Sequence, residues 1–208
     1  MKNTAGLVLA AGGGTRFGRP KALIEFDGRS LLDRAVATLH TGGCRQVLAV
    51  LGAGAEQALA AATEAFTPVL NRRWGQGLST SLKAGLAAVP ERYDGVVVTL
   101  VDQPRIAPEA VRRIIAAAEE GAAIAVAVYA GRRGHPMYFA REHLDAIAAG
   151  AVGDRGARDF LAANAALVRE VECPGDPVDV DTPADLEALT RLPRINPQSS
   201  PPKLVGRS

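Results

Sequence analysis

The stretch GLVLAAGGGTRFGRPK, residues 6–21, begins as an uninterrupted apolar run and breaks into three consecutive glycines, Gly12 to Gly14. Arg16 and the pair Pro20-Lys21 follow. An apolar run of this length, stopped by glycine, reads as a strand buried on both faces, as happens between two layers of helices. In open α/β sheets the ligand lies beyond the carboxyl ends of the strands, so the loop after this strand stands where a functional loop is expected. Two familiar phosphate cradles do not fit it. The dinucleotide fingerprint GxGxxG fails because Phe17 stands where the third glycine should be. The P-loop GxxxxGK[ST] fails from Gly13 onward, because Arg19 replaces its lysine and Pro20 cannot supply the hydroxyl that holds magnesium. What remains is a longer glycine loop whose backbone N–H groups can approach phosphate oxygens, with Arg16 as a forked cation and Lys21 as a point charge. Such a loop suits a triphosphate.

Working outward, short β-branched runs alternate with helical patterns. AGLVLAA from Ala5, QVLAVLG from Gln46, TPVLN from Thr67, GVVVTLVD from Gly95 and AIAVAVYA from Ala123 read as strands apolar on both faces. Between them SLLDRAVATLH, AEQALAAATEAF, STSLKAGLAAV and APEAVRRIIAAAEE carry apolar residues at three- and four-residue spacing. This alternation predicts an α/β fold with a doubly wound, mostly parallel sheet flanked by helices. After Gly131 the rhythm changes. GHPMYF reads as a strand, GDRGARDFLAAN as a turn into a helix, and ALVREVEC as a strand. TPADLEALTRL reads as a helix with Thr182 as N-cap and Pro183 in its first position. Residues 1–192 are expected to form one domain. Residues 193–208, rich in Pro and Ser, are expected to be a disordered tail.

The 24 basic and 22 acidic residues of the 208-residue chain leave a net charge of +2, too small and too evenly spread for a nucleic-acid or membrane-surface protein. Any anionic ligand must therefore be met locally. Cys44 and Cys173 lie far apart with no CxxC spacing, which argues against a disulfide framework and a structural zinc site and suits the reducing cytoplasm. The longest apolar run falls well short of the ~20 residues that span a bilayer, and no charged leader precedes a signal-like segment.

The run from Leu9 to Lys21 resembles LAAGxGxRxGxPK, the signature of nucleotidyltransferases that activate sugars, isoprenoid precursors and the molybdenum cofactor. NRRWGQGLSTSL from Asn71, LVDQP from Leu100, GRRGHP from Gly131, GDRGAR from Gly153 and DVDTPADL from Asp179 extend the likeness over residues 6–190. Together they make the chain similar to the molybdenum-cofactor cytidylyltransferase-like group. The resemblance implies a Rossmann-like nucleotidyltransferase fold in which Leu9, Ala10, Ala11, Gly12, Gly13 and Gly14 bind the nucleotide and Gly77 and Ser81 contact a pyrimidine. It implies Arg16 and Lys21 as catalytic cations. Asp102, at the end of an apolar strand, would face the same crevice and hold Mg2+. By resemblance its partner is Asp181, with Asp179 as the other candidate, while the same DVDTP segment also reads as a helix cap. Ala10-Ala11 resembles the cytidylyl-type motif and favours CTP.

The reaction so implied is attack by an acceptor phosphate on the α-phosphorus of the triphosphate, releasing pyrophosphate. A phosphate monoester with a second pKa near ~6 is already ionised at neutral pH, so no general base is needed. Trp74, the sole tryptophan, can stack on a flat ring, where it is taken as an acceptor ligand, or serve the core. His135, between Gly134 and Pro136, is assigned to shaping the acceptor side. Arg132, Arg133, Arg155 and Arg158 gather in the same region, where a phosphorylated acceptor such as a molybdopterin wants cations, and Arg158 is taken as an acceptor ligand.

Two other classes stay open. An offshoot of the same group is a dye reductase, nicotine blue oxidoreductase, which uses NAD(P)H, and this chain resembles it closely. Reduction would leave Asp102 and Asp181 without a task, and the dinucleotide fingerprint is missing. The second is a non-catalytic chaperone that presents cofactor to a molybdoenzyme partner, for which the complete charged set would be superfluous.

Overall fold

The computed structural model describes residues 2–192; Met1 and residues 193–208, with the tail expectation that falls on them, lie outside the described residues. The strands are β1 (Thr4–Ala10), β2 (Glu25–Phe26), β3 (Arg29–Ser30), β4 (Val47–Leu51), β5 (Thr67–Leu70), β6 (Gly95–Leu100), β7 (Ile124–Tyr129), β8 (Arg132–Ala140) and β9 (Val168–Glu172). The helices are α1 (Leu31–Thr41), α2 (Ala55–Ala61), α3 (Leu78–Ala87), α4 (Pro108–Glu119), α5 (Leu144–Gly150), α6 (Arg158–Ala163) and α7 (Pro183–Arg191).

Seven strands form one sheet in the order β5-β4-β1-β6-β8-β7-β9, and β2 pairs with β3 in a separate small hairpin. β1 runs parallel to both β4 and β6, β4 parallel to β5, and β7 parallel to β9. Within this sheet of the described residues, β8 runs antiparallel to both its neighbours, β6 and β7. The sheet is thus doubly wound and mostly parallel, as the alternation predicts. Successive residues of β1 supply opposite layers: Val8 and Ala10 pack with α1 and α4, whereas Leu7 and Leu9 pack with Leu82 and Leu86 of α3. This two-sided burial is why the sequence of β1 shows no polar alternation.

The chain leaves β1 toward β4 and β5, then crosses back to β6 on the other side, so the carboxyl ends of β1 and β6 flank the switch point where such sheets bind ligands. Backbone bonds close the crevice further along: Val101 donates to the Leu9 carbonyl at 3.2 Å, and Val180 donates to the Asp102 carbonyl at 2.8 Å.

Two local expectations need correction, and two elements lie outside the sequence reading. α2 ends at Ala61 and does not run on to Phe66. The buried Asp33 carboxylate accepts from the N–H groups of Thr63 and Glu64 at 2.9 and 3.0 Å, offering that backbone a partner outside the helix. β5 is not buried on both faces: it is the sheet edge, with Thr67, Pro68 and Leu70 exposed, which is where a strand proline is tolerated. The helix α5 and the β2–β3 hairpin were not anticipated, α5 because HLDAIAAG is short and carries no distinctive start signal.

Pro136 lies within β8, in the interior of the sheet, and is accommodated by a bulge: Val126 pairs with Met137 and Ala127 with Gly134, leaving His135 and Pro136 unpaired. The bulge sets His135 on the wall of the cleft described below.

Candidate active site

The glycine loop turns sharply at Gly14, whose φ is +60°. A Cβ there would lie 2.1 Å from the Arg19 carbonyl oxygen, so no other residue fits this turn. Gly12 has no neighbour within 4 Å of where a Cβ would stand, leaving its backbone open to a ligand. The turn delivers Lys21 to the start of a short 3-10 turn, Lys21–Leu23, beneath the ends of β1 and β6.

There the Lys21 ammonium donates to Asp102 Oδ2 at 2.7 Å and to Asp181 Oδ1 at 2.5 Å. Arg16 Nη1 lies 3.2 Å from the other Asp181 oxygen, Oδ2. Four residues from three distant segments thus form one charged network. Burial pulls the Lys21 pKa down, but the facing carboxylates of Asp102 and Asp181 outweigh it and hold the pKa above the usual lysine value. The ammonium is firmly charged at neutral pH.

Asp181 is held by the helix that follows it. Thr182 caps α7, accepting from the Asp185 N–H at 3.2 Å, and Asp185 Oδ2 accepts from the N–H groups of Thr182 and Asp181 at 2.8 and 3.0 Å. Helix capping and the charged site therefore coexist in one segment: Thr182 supplies the cap and Asp181 the carboxylate. Asp179 faces a different partner, accepting from Gln103 Nε2 at 2.9 Å. Its carboxyl is raised above the usual range by burial and by the nearby Asp102 charge. Gln103 stood in the LVDQP motif without a role; its amide also donates to the Pro177 carbonyl at 3.2 Å, bracing the 177–181 segment.

A cleft of about 1650 Å³ opens beside this network, lined by Arg16, Asp181, Arg132, His135, Met137 and Arg158 among others. It exceeds the ~300–1,000 Å³ usual for a single small ligand and has room for two. Burial pushes the His135 imidazole down to about 4, against the pull of Asp102, so it is neutral at pH 7. Arg133 pairs with Glu170 at 2.6 Å and Arg155 with Asp159 at 2.5 Å. Among the described residues Arg132 and Arg158 have no ion-pair or side-chain hydrogen-bond partner, which leaves their charge to the cleft.

Gly77 and Ser81 are not equivalent. Ser81 is buried and accepts from Asn71 Nδ2 at 3.1 Å; the same amide donates to Thr80 Oγ1 at 2.9 Å, and Asn71 Oδ1 accepts from the Arg73 N–H at 2.9 Å. Asn71 is the hub that holds this loop, and its place at the head of NRRWGQG was its only sequence signal. Trp74 is not among the residues that line the cleft with His135 and Arg158. Its ring lies over the glycine loop, 3.0 Å from where a Cβ of Gly13 would be, and its Cβ crowds Gly52.

Residues 6–169 match the family described as MobA-like NTP transferase domain. The chain belongs to this family. It is 39% identical over 198 residues to nicotine blue oxidoreductase of Paenarthrobacter nicotinovorans, covering 90% of this chain and 95% of that one. Its fold superposes on that of Rv0371c from Mycobacterium tuberculosis with a TM-score of 0.81 at 33% identity, covering 92% of this chain and 99% of the other. The manganese complex of Rv0371c superposes with a TM-score of 0.77 at 32% identity, over 91% and 98% of the two chains. The MobA-like domain fits the resemblance carried by the motifs, and among the described residues no helix is long and apolar enough to cross a membrane.

Proposed function

We propose that this MobA-like domain transfers CMP from CTP to a phosphorylated acceptor of the molybdopterin class. An acceptor phosphate oxygen forms a bond to the α-phosphorus, the α–β bridging bond breaks, and pyrophosphate departs with the electron pair. The observation that carries the reading is the convergence of Lys21, Arg16, Asp102 and Asp181 at the switch point of the sheet. Charge neutralisation and alignment are what phosphoryl-type transfer requires, and no proton has to be removed from an ionised phosphate.

In this reading Gly12 to Gly14 give their open backbone to the triphosphate, Arg16 and Lys21 meet the charge growing on the leaving pyrophosphate, and Gly77 borders the base. Leu9, Ala10 and Ala11 form the strand end beneath it. Ser81 acts through Asn71, holding the base-side loop. Trp74, over Gly13, belongs to the nucleotide side, so the acceptor is left to Arg158, Arg132 and the neutral His135.

Asp102 and Asp181 fit a divalent cation. Asp102 Oδ1 is buried with no hydrogen-bond partner, and hard carboxylate oxygens suit Mg2+ or Mn2+. Among the described residues no cluster of three or more His, Cys, Asp or Glu could hold a metal by itself, in keeping with the habit of Mg2+ of sharing one or two carboxylates with substrate phosphates. When bound, Mg2+ supplies Lewis-acid neutralisation of phosphate oxygens. Two buried free thiols, Cys44 and Cys173, suit a reducing cytoplasm.

The named likeness to nicotine blue oxidoreductase supports a second reading, NAD(P)H-dependent reduction of a flat dye in the same cleft. A thermal-shift panel of CTP, GTP, ATP, UTP and NADPH, with and without Mg2+, separates the two, since a ligand bound by the native state alone raises stability by RT ln(1 + [L]/Kd). Stabilisation by CTP that needs Mg2+ is the expected result. Stabilisation by NADPH alone, indifferent to metal, would replace the transfer reading with the reductive one.

A further inference from the structure

The GDRGAR segment lies far from the glycine loop in sequence, yet it is fastened to the start of α3. Asp154 Oδ1 accepts from the Leu78 N–H at 3.0 Å, and the Gly153 carbonyl accepts from the Ser79 N–H at 2.9 Å. These are first-turn amides of α3, which have no partner within the helix and favour a negative charge. The approach is so close that a Cβ on Gly77 would meet Asp154 Oδ1 and the Gly153 carbonyl oxygen, each at 2.8 Å, and Gly77 itself has a φ of +107°. On the far side of the same loop, Gly156 packs near Leu78, and Arg155 and Arg158 project into the cleft wall.

We propose that Asp154 is a positioning residue that couples the nucleotide side to the acceptor side. It ties the arginine-bearing loop 153–158 to the residue, Gly77, that borders the base. This rests on the nucleotide reading above. A base held against Gly77 restrains the first turn of α3, and through the bond to Asp154 it restrains the loop that presents Arg155 and Arg158. Filling the nucleotide site thereby orders the acceptor site, with no contact between nucleotide and loop. The ion pair of Arg155 with Asp159 and the backbone bond from Arg158 to Arg155 stay within the loop and α6; the bonds that reach α3 are the one from Ser79 to the Gly153 carbonyl and the one from Leu78 to Asp154, of which only the latter is made by a side chain.

The test uses the full chain and, as its reporter, the peptide bond between exposed Arg155 and buried Gly156, which a protease reaches only when the loop opens. Trypsin cleavage there is followed by mass spectrometry, without ligand and with CTP and Mn2+, for the native protein, Asp154→Ala and Asp154→Asn. Thermal shift in parallel reports whether CTP binds. Without ligand, Asp154→Ala is expected to be cut about tenfold faster than the native chain, because local opening sets the rate. Asp154→Asn, which keeps an acceptor oxygen, should restore most of the protection. CTP with Mn2+ should slow cleavage of the native protein and of Asp154→Asn but leave Asp154→Ala unprotected although it still binds CTP. A loop that was merely well packed would lose protection in Asp154→Ala without this loss of nucleotide response. Equal ligand-free rates, failure of Asn to rescue, or a native protein that binds CTP with unchanged or faster cleavage would overturn the coupling. Absence of any CTP shift in the native protein would overturn the nucleotide reading, and the coupling that rests on it, leaving the ligand-free rates to judge the tether.

Discussion

Lys21 and Asp102, 81 positions apart in the chain, meet at 2.7 Å beneath the ends of two neighbouring parallel strands. The same ammonium reaches Asp181, and Arg16 closes the network from the solvent side. Each carboxylate of the network is thus balanced by at least one cation.

Asp102→Ala should abolish metal-dependent release of pyrophosphate from CTP while leaving the fold intact, since Asp102 lies at the rim of the core and its backbone bond from Val180 is retained. Loss of stabilisation by Mn2+ in the same variant is the binding readout. Full turnover in Asp102→Ala would remove it from the metal site.

Lys21→Ala should lower the transfer rate on the order of 100-fold, about 3 kcal/mol of transition-state stabilisation, by analogy with the loss of one charged or oxyanion contact. Stabilisation by Mn2+ should persist, because both carboxylates remain. An unchanged rate would take Lys21 out of the mechanism.

The raised pKa of Lys21 carries a stability signature with a definite sign. A base whose folded pKa exceeds its unfolded value stabilises the fold fully below the unfolded pKa, about 10.4 for lysine, and loses that contribution as pH rises through the folded value. Denaturant midpoints should therefore fall above about pH 10.4 more steeply for the native protein than for Lys21→Met. Parallel curves would show that the ion pair adds nothing to stability.

Asp33 is a structural carboxylate, 3% exposed, that serves two backbone amides and a hydroxyl: its Oδ1 accepts from the N–H groups of Thr63 and Glu64, and its Oδ2 accepts from Ser30 Oγ. Burial tends to raise its pKa, but the bonds from Glu64 and Thr63 prevail and hold it below the usual range. Its contribution is present above the unfolded value near 3.9 and lost as pH falls through the folded one. Asp33→Ala should cost about 2–3 kcal/mol in urea unfolding at pH 7, through unsatisfied amides, with activity per folded molecule retained.

Ala130 occupies the left-handed region at φ +49° in the two-residue turn between β7 and β8, where Gly131 also has positive φ. Such turns favour Asn or Gly in the first position. Ala130→Gly should relieve strain and raise stability by up to about 1 kcal/mol, seen as a higher thermal midpoint; a lower midpoint would show that the turn holds no strain.

The apolar runs of β1, β4, β6 and β7, the glycine break after β1 and the Thr182-Pro183 helix start were legible in the chain because each is dictated locally, by burial on two faces, by steric freedom or by capping. Arg16, Lys21, Asp102 and Asp181 were legible as a set only through their motifs; nothing in their spacing places Lys21 between two carboxylates. The antiparallel course of β8, the bulge that turns His135 to the cleft, the end of α2 at Ala61 and the seat of Asp154 on α3 were decided by tertiary structure alone. The end of α2 and the seat of Asp154 depend on partners 30 and 76 residues away, β8 also pairs with the distant β6, and the bulge fits Pro136 between two neighbouring strands; such requirements leave no periodicity in the sequence. Short-range physics determined which segments would be strands, helices and loops here, whereas the order of the strands in the sheet decided which charges would face one another.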